Sequence, residues 1–278
     1  MITRGKSILL GIALLTMVAC APASKSNVGL ESGEASTTGI IGGKDVAAND
    51  SPAQFSVLLY DTLKKSICSA TLIGNNLVLT AAHCLGQDPR KLLVIFTQNL
   101  PKATQDMART VVGAIGHPSW KMNLQRSVDH GDIAIVKYQG STPPGYRATT
   151  VLPNPSALKN NSAVLLVGYG VNEVTKRAGA GILRQVMTTI TNSQYSQTEV
   201  QVEQRYGRAN CHGDSGGPAF LVANGNYYLW GISSRGAQGT VDQCNSYSIY
   251  TNILPFIPWL QTTARTLLAT NQFSYAQQ

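Results

Sequence analysis

The chain has 278 residues, of which 43% are hydrophobic and only 13% charged. That composition excludes a disordered polymer and leaves enough apolar side chains for one large domain or two small ones. The formal net charge is +8, but the lysines and arginines are scattered, with no basic block and no nucleic-acid motif. The excess therefore reads as a solvated surface, and no nucleic-acid partner is expected.

Residues 1–19 stand apart from the rest. Arg4 and Lys6 precede the apolar run Ile8–Ala19. A spanning helix needs about 20 apolar residues, so this shorter run reads as a secretory signal. Met17-Val18-Ala19-Cys20 resembles a bacterial lipobox, in which cleavage leaves Cys20 as a lipidated first residue, although Met17 departs from the usual leucine. Ordinary cleavage near Ala21–Ala23 is the competing reading. Export implies an oxidising compartment where disulfides persist. Of the five cysteines, Cys68, Cys84, Cys211 and Cys244 make two pairs, and a lipid accounts for Cys20. The expectation is a periplasmic or cell-surface lipoprotein that meets the membrane only through Cys20, with release as a secreted enzyme after activation.

Residues 20–39 are rich in Ser, Gly, Ala and Thr without apolar periodicity, and read as a linker or pro-segment. From Ile40 the texture changes to short apolar or alternating runs divided by Gly, Asn, Asp and Pro. Strands are expected at Gln54–Tyr60, Cys68–Ile73, Leu77–Thr80, Leu92–Thr97, Thr110–Ile115, Ile133–Tyr138, Ala163–Gly168, Leu183–Ile190, Ala219–Val222, Tyr227–Ser233 and Ser248–Asn252. That spacing predicts an all-β barrel or sandwich protein. Pro143-Pro144 and Leu152-Pro153-Asn154-Pro155 mark a crossover between two halves, near 140–160. Only Ile253–Thr270 has helical character, with Pro255 and Pro258 in its first turn, where proline is tolerated.

Gly213-Asp214-Ser215-Gly216-Gly217-Pro218 is the strongest chemical signal. A serine hydroxyl is a poor nucleophile unless a base takes its proton, and the oxyanion it generates needs backbone N–H groups nearby. Glycines around the serine let the backbone bend to supply them. A bare G-x-S-x-G could also belong to an α/β-hydrolase, but that fold has its histidine after the serine. The four histidines here, His83, His117, His130 and His212, all precede Ser215. His83 follows an apolar strand at a turn held by a cysteine, in LTAAHC. His117 lies in a turn-like Gly116-His117-Pro118 and is expected to be structural. His130 is expected to be exposed, and His212 is too close in sequence to reach Ser215. Asp132, in GDIAIV, puts a carboxylate at the mouth of a buried strand.

Together the segments IIGG at Ile40–Gly43, LTAAHC at Leu79–Cys84, GDIAIV at Gly131–Val136, GYG at Gly168–Gly170, GDSGGP at Gly213–Pro218 and IYTNI at Ile249–Ile253 resemble, in their order, the chymotrypsin/trypsin family. The resemblance runs from Ile40 to about Leu260. It implies two six-stranded antiparallel β-barrels with a C-terminal helix, and a domain over 40–278. It implies a serine endopeptidase in which Ser215 attacks the scissile carbonyl, His83 moves the proton and Asp132 orients the imidazole, with the N–H groups of Gly213 and Ser215 as the oxyanion hole. It further implies disulfides Cys68–Cys84 and Cys211–Cys244, and a zymogen activated when cleavage frees the amine of Ile40 to pair with Asp214. The residue before Ile40 is Gly39, so a trypsin-type activator does not fit.

The family's specificity pocket maps to Ala209, Asn210, Ser234, Gly236 and Ser248. Ala209 replaces the trypsin aspartate, Arg235 the usual tryptophan and Ser248 a usual glycine. Lys or Arg before the scissile bond then has no counter-charge, unless Asp242 reaches inward. A small or medium uncharged side chain is expected. Expected partners are protein or peptide substrates and an activating protease, acting on a monomer with no cofactor and no metal. Two other classes, a binding module on this scaffold and a secreted esterase, are set against the protease. A binding module would normally have lost one of the three residues.

Overall fold

The computed structural model describes residues 40–237, 244–270 and 274–276, all inside the compact unit Ala35–Gln278. The expectations that fall on Cys20, on residues 1–39 and on Asp242 lie outside the described residues.

Twelve strands build two barrels. The first comprises β1 (Ser56–Asp61), β2 (Ser66–Gly74), β3 (Leu77–Thr80), β4 (Leu92–Ile95), β5 (Ala108–Gly116) and β6 (Ala134–Tyr138). Its antiparallel order is β5-β4-β1-β2-β3-β6, closed by pairing of β5 with β6. The second comprises β7 (Ala163–Gly168), β8 (Arg184–Asn192), β9 (Glu199–Glu203), β10 (Pro218–Ala223), β11 (Asn226–Gly236) and β12 (Tyr247–Asn252). Its order is β8-β9-β12-β11-β10-β7, closed by β7 on β8. Closure pairs the first and last strands of each barrel, which removes most of the open edge that a flat sheet would present. Short strands decorate the barrels: Lys44–Asp45 pairs with β8, Thr150–Val151 runs parallel to β11, and Ser274–Ala276 runs parallel to β5. Between Tyr138 and Ala163 the chain crosses over, as the proline-rich segment indicated. A short 3₁₀ turn, Leu254–Phe256, leads into helix α1 (Ile257–Ala269), with Pro255 and Pro258 in the first turns.

The strands read as nearly continuous apolar runs because both faces are buried. In β1, Val57 and Leu59 point into the first barrel while Leu58 joins a core shared by the two barrels. In β7, Val164 and Leu166 fill the second barrel while Leu165 and Val167 join that shared core. The helix adds Leu260 and Leu267 to it. The shared core is what holds the seam between the barrels, and the chemistry-bearing loops lie along this seam.

Eleven strands were expected from the sequence, and each is found with its ends shifted by no more than a few residues. Gln54 and Phe55, expected to open the first strand, instead end a helical turn, Ser51–Phe55, with Pro52 in its first turn. The strand that the sequence reading missed is β9, Glu-Val-Gln-Val-Glu. Its two valines alternate with polar residues, and both glutamates are buried, Glu199 against Arg235 of β11 and Glu203 against nearby Arg205.

Phe220 on β10 is fully buried in the shared core, its ring 5.9 Å from that of Phe55. Phe220→Ala is expected to lower unfolding free energy by about 3–5 kcal/mol, from lost burial plus a cavity. A denaturant titration showing less than about 1 kcal/mol would mean the seam is not a packed core.

Candidate active site

Asp132 precedes β6 at the seam and is 1% exposed. Gly131 before it has φ 64°, and a Cβ there would lie 2.6 Å from Ser119 Cβ, so glycine is required. The Asp132 carboxylate accepts three hydrogen bonds: from His83 N (3.0 Å), His83 Nδ1 (2.8 Å) and Ser234 Oγ (2.7 Å). Its own carbonyl accepts from Thr251 Oγ1 at 3.1 Å. Two of these donors, Ser234 and Thr251, come from the second barrel. Burial pushes the Asp132 pKa up, but the neighbouring His83 and the hydrogen bonds from His83 and Ser234 outweigh it and hold the group below its ordinary value. The same pair acts on His83: burial pulls its pKa down, and the Asp132 charge and hydrogen bond raise it by more.

His83 sits on a 3₁₀ turn, Ala82–Leu85, directly after β3. Cys84 of that turn is bonded to Cys68 on β2, as the family pattern implies. Such a closed loop is worth about 3 kcal/mol on the chain-entropy account. The imidazole is 31% exposed, so one edge is held by Asp132 and the other faces the cleft. Trp120 and His130 form a wall beyond it, with ring centroids of His83 and Trp120 6.0 Å apart. His130, expected to be exposed, is half-buried, because its backbone N–H donates to buried Glu199 and its Nε2 bonds Arg126 O. His117 is packed edge-on between Phe256 and Trp259, which lowers its pKa by burial and gives it the structural role expected.

The Ser215 loop depends on close backbone approach. Gly213 has φ 97°, and a Cβ on Gly216 would lie 2.1 Å from Thr80 Oγ1. Ser69, on β2, ties this loop to the first barrel: its N–H donates to Ser215 O (2.8 Å) and its hydroxyl to Gly213 O (3.0 Å). The same hydroxyl accepts from Tyr169 N at 2.9 Å. Sequence reading missed Ser69, since nothing in its local context marks it. Among the described residues, the N–H groups of Gly213 and Ser215 donate to no protein acceptor. Among the described residues, Ser215 alone lines both of the cavities flanking this loop. One, of about 190 Å³, also holds His83, and the other is about 340 Å³.

Asp214 points the opposite way. It is buried and accepts from Gly170 N and Cys211 N, each at 2.7 Å. Burial outweighs these bonds and a distant pull from Arg184, and its pKa is pushed up to about 7. Gly168 and Gly170 make room for it: a Cβ on either would fall within 2.3 Å of a carboxylate oxygen. Ile40 is fully buried in the second barrel's core, and the segment after it docks by a bridge between Ile41 and Ala209.

The larger cavity is lined by four of the five residues singled out from the sequence, Asn210, Ser234, Gly236 and Ser248. Ala209 is not among the lining residues. It is fully buried and its backbone N–H is committed to Ile41 O. Gln204, which the sequence did not flag, lines the cavity instead. The wall opposite is formed by Cys211 and its disulfide to Cys244. Arg235 reaches away to buried Glu199, at 2.7 and 2.9 Å through two guanidinium nitrogens. The two clusters of a histidine with two cysteines, at His83 and at His212, contain these disulfides and so offer no thiolate to a metal.

Residues 40–260 match the Trypsin family. The chain belongs to the trypsin family. Among its relatives are chymotrypsin-like elastase family member 1 of Canis lupus familiaris, 28% identical over 80% of this chain and 90% of that protein. Cathepsin G of Mus musculus is 28% identical over 81% of this chain and 85% of its own length. Vitamin K-dependent protein C of Oryctolagus cuniculus is 28% identical over 80% of this chain and 52% of its own length. As a member of the trypsin family the chain is a serine protease, a hydrolase acting on protein or peptide substrates. No described helix is long and apolar enough to cross a membrane.

The fit around Asp214 is testable without activity. Gly170→Ala drives a Cβ into the carboxylate and is expected to cost about 1–3 kcal/mol. In Gly74→Ala the new Cβ would have only Leu77 Cδ1, at 3.9 Å, and stability should change by less than about 1 kcal/mol. Equal denaturation midpoints for the two variants would refute the packing argument.

Proposed function

We propose that the chain is an endopeptidase working through Ser215, His83 and Asp132 and an acyl-enzyme. The observation that carries this reading is the buried Asp132 carboxylate gripping His83 Nδ1 at 2.8 Å, with Ser215 opening into the same small cavity as His83. Asp132 fixes the tautomer in which Nε2 is free to take the Ser215 proton, and stabilises the imidazolium that results. The alkoxide attacks the scissile carbonyl. The uncommitted N–H groups of Gly213 and Ser215 are the donors for the oxyanion, and His83 returns the proton to the leaving amine. Water repeats the sequence on the ester. Ser234 Oγ, donating to Asp132, is a positioning group for the acid.

The enzyme is made as a zymogen and matures by cleavage before Ile40. Two features support this. Asp214 lies buried with only two donors and a raised pKa, a carboxylate lacking a cation. Ile40 has φ 40° in the uncut chain, a conformation that a β-branched residue avoids and that cutting would relieve. The new ammonium pairs with Asp214 and sets the Gly213–Ser215 loop. Because Gly39 precedes the bond, the activating protease is not trypsin-like, or the chain cuts itself.

The pocket does not favour Lys or Arg, since no carboxylate lines it among the described residues. Cys20 is the lipidated residue of a bacterial lipoprotein exported to the periplasm or cell surface. Both described disulfides exclude Cys20, so cleavage before Ile40 severs the anchored segment and releases a monomeric enzyme.

Ser215→Ala should abolish labelling by an organophosphonate and nearly all peptide cleavage, and labelling that survives would sink the nucleophile. The acid–base assignment is read in the pH profile. Activity needs neutral His83, so kcat/KM should rise with pH through a midpoint above the usual imidazole value. Asp132→Asn should lower that midpoint and reduce kcat by about 10⁴. The activation step is read in stability. Unfolded Asp214 titrates near 3.8 and folded Asp214 near 7, so between these values the uncut folded chain holds a proton that the unfolded chain has released. Its stability is full at the acid end and falls as pH rises through that window, by up to about 4 kcal/mol. The form beginning Ile-Ile-Gly-Gly should lack this fall, because the ammonium stabilises ionised Asp214. Identical pH–stability curves for the two forms would exclude the pairing.

A further inference from the structure

We propose that the cavity beside Ser215 selects a neutral carboxamide side chain, glutamine or asparagine, on the residue whose carbonyl is attacked. This rests on the reading of Ser215 as the nucleophile and names the substrate class of that same site.

Charge comes first. Of the described lining residues only Arg235 is permanently ionised, and its guanidinium is committed: two nitrogens hold the Glu199 carboxylate and one also donates to Ser127 O at 3.0 Å. The pair is neutral as a unit, so the described lining presents no free charge of either sign. A lysine, arginine or glutamate side chain entering it would be buried without a partner, which costs more than any neutral group.

Polarity comes next. The deep residues are carboxamides and hydroxyls: Gln204, Asn210, Ser233 and Ser248, all buried. Three of them satisfy one another. Gln204 Nε2 donates to Asn210 O and to Asn210 Oδ1, and Asn210 Nδ2 donates to Ser233 Oγ at 2.5 Å. Ser248 does not share in this network. Ser248 lines the cavity and is 1% exposed, and its buried Oγ has no hydrogen-bond partner among the described residues. Buried hydroxyls in native proteins are nearly always paired, and each exception calls for an explanation. Water can supply the missing partner while the cavity is empty, but a substrate side chain that displaces it has to reproduce its bonds.

Geometry then selects the chemistry. Ser248 stands opposite Gly236 across the β11–β12 ladder, so its neighbour on that strand carries no side chain to shield it. A hydroxyl can both donate and accept. A carboxamide answers both ways, through its C=O and its NH₂, and carries no charge. A leucine or phenylalanine side chain fills the space but strands the hydroxyl. An alanine is too small for a cavity of about 340 Å³.

The experiment uses the full chain, matured by limited proteolysis to a new terminus at Ile40. A small sulfonyl fluoride first labels the nucleophile, a reaction that does not depend on the cavity. Peptide substrates identical except for Gln, Asn, Leu, Lys or Glu before the scissile bond are then compared by kcat/KM. Gln or Asn is expected to lead Leu by about tenfold or more, with Lys and Glu lower still. Ser248→Ala should cut the Gln or Asn value by about three- to tenfold and leave or raise the Leu value. Ser248→Thr, which keeps the hydroxyl, should retain the preference, and melting curves check that both variants are folded. Labelled enzyme that prefers Leu, Lys or Glu, or whose preference is indifferent to Ser248→Ala, overturns the carboxamide proposal while the nucleophile stands. Enzyme that takes no label overturns the nucleophile and the proposal with it.

Discussion

An ionised carboxylate buried at the seam between two barrels is the constraint on which the rest of this protein depends. Taking Asp132 out of water costs several kcal/mol unless its oxygens are fully engaged. The donors that engage them come from distant parts of the chain: His83 from the turn after β3, and Ser234 from β11 in the other barrel. Satisfying one charge therefore fixes the relative position of two loops and two barrels. The apolar shared core brings the barrels together without direction, whereas the carboxylate fixes their registration to hydrogen-bond precision. The histidine that leans on Asp132 is oriented as a by-product of the same requirement.

Asp214, one residue before Ser215, behaves in the opposite manner. It too is buried, but among the described residues two backbone N–H groups are its only hydrogen-bond donors, and its pKa rises instead of falling. The contrast lies in the partners, since residue type and burial are the same. Asp132 faces a titratable base that gains its own stabilisation by staying close. Asp214 faces Gly168 and Gly170, which give room and dipoles but no charge.

Much of this was legible in the sequence because the necessary pieces are local. GDSGGP needs its glycines within a few residues of the serine, where Thr80 Oγ1 and Val167 O crowd the backbone. The apolar runs are long because both faces of each strand are buried. What was not legible depends on contacts far apart in sequence. Ser69 reads as one serine among many, yet it links the Ser215 loop to Tyr169. Strand β9 is hard to see in the sequence because Glu199 and Glu203 look like surface residues, and only the fold brings Arg235 to Glu199. Ala209 was placed at the pocket by counting back from Ser215. In the structure Ala209 is fully buried and bridged to Ile41, and Gln204 lines the cavity.

The Arg235–Glu199 pair shows how such a departure is accommodated. An arginine in place of an aromatic residue at the mouth of the cleft would alone leave a mobile cation over the substrate. Glu199 removes it by a bidentate grip, the geometry a guanidinium forms best. The grip also recruits the loop that carries Trp120 and His130, for Arg235 donates to Ser127 O and Glu199 accepts from His130 N. That loop is held a second time where Asp129 accepts from the hydroxyls of Ser196 and Thr198 and from Thr198 N. The wall facing His83 is therefore set by polar bonds to β9 and the turn before it, where an aromatic side chain would have set it by packing. Exchanging Arg235 alone would leave a buried carboxylate without its partner, so the two positions can change only together. The neutrality of the cleft and the placement of its far wall follow from that coupling.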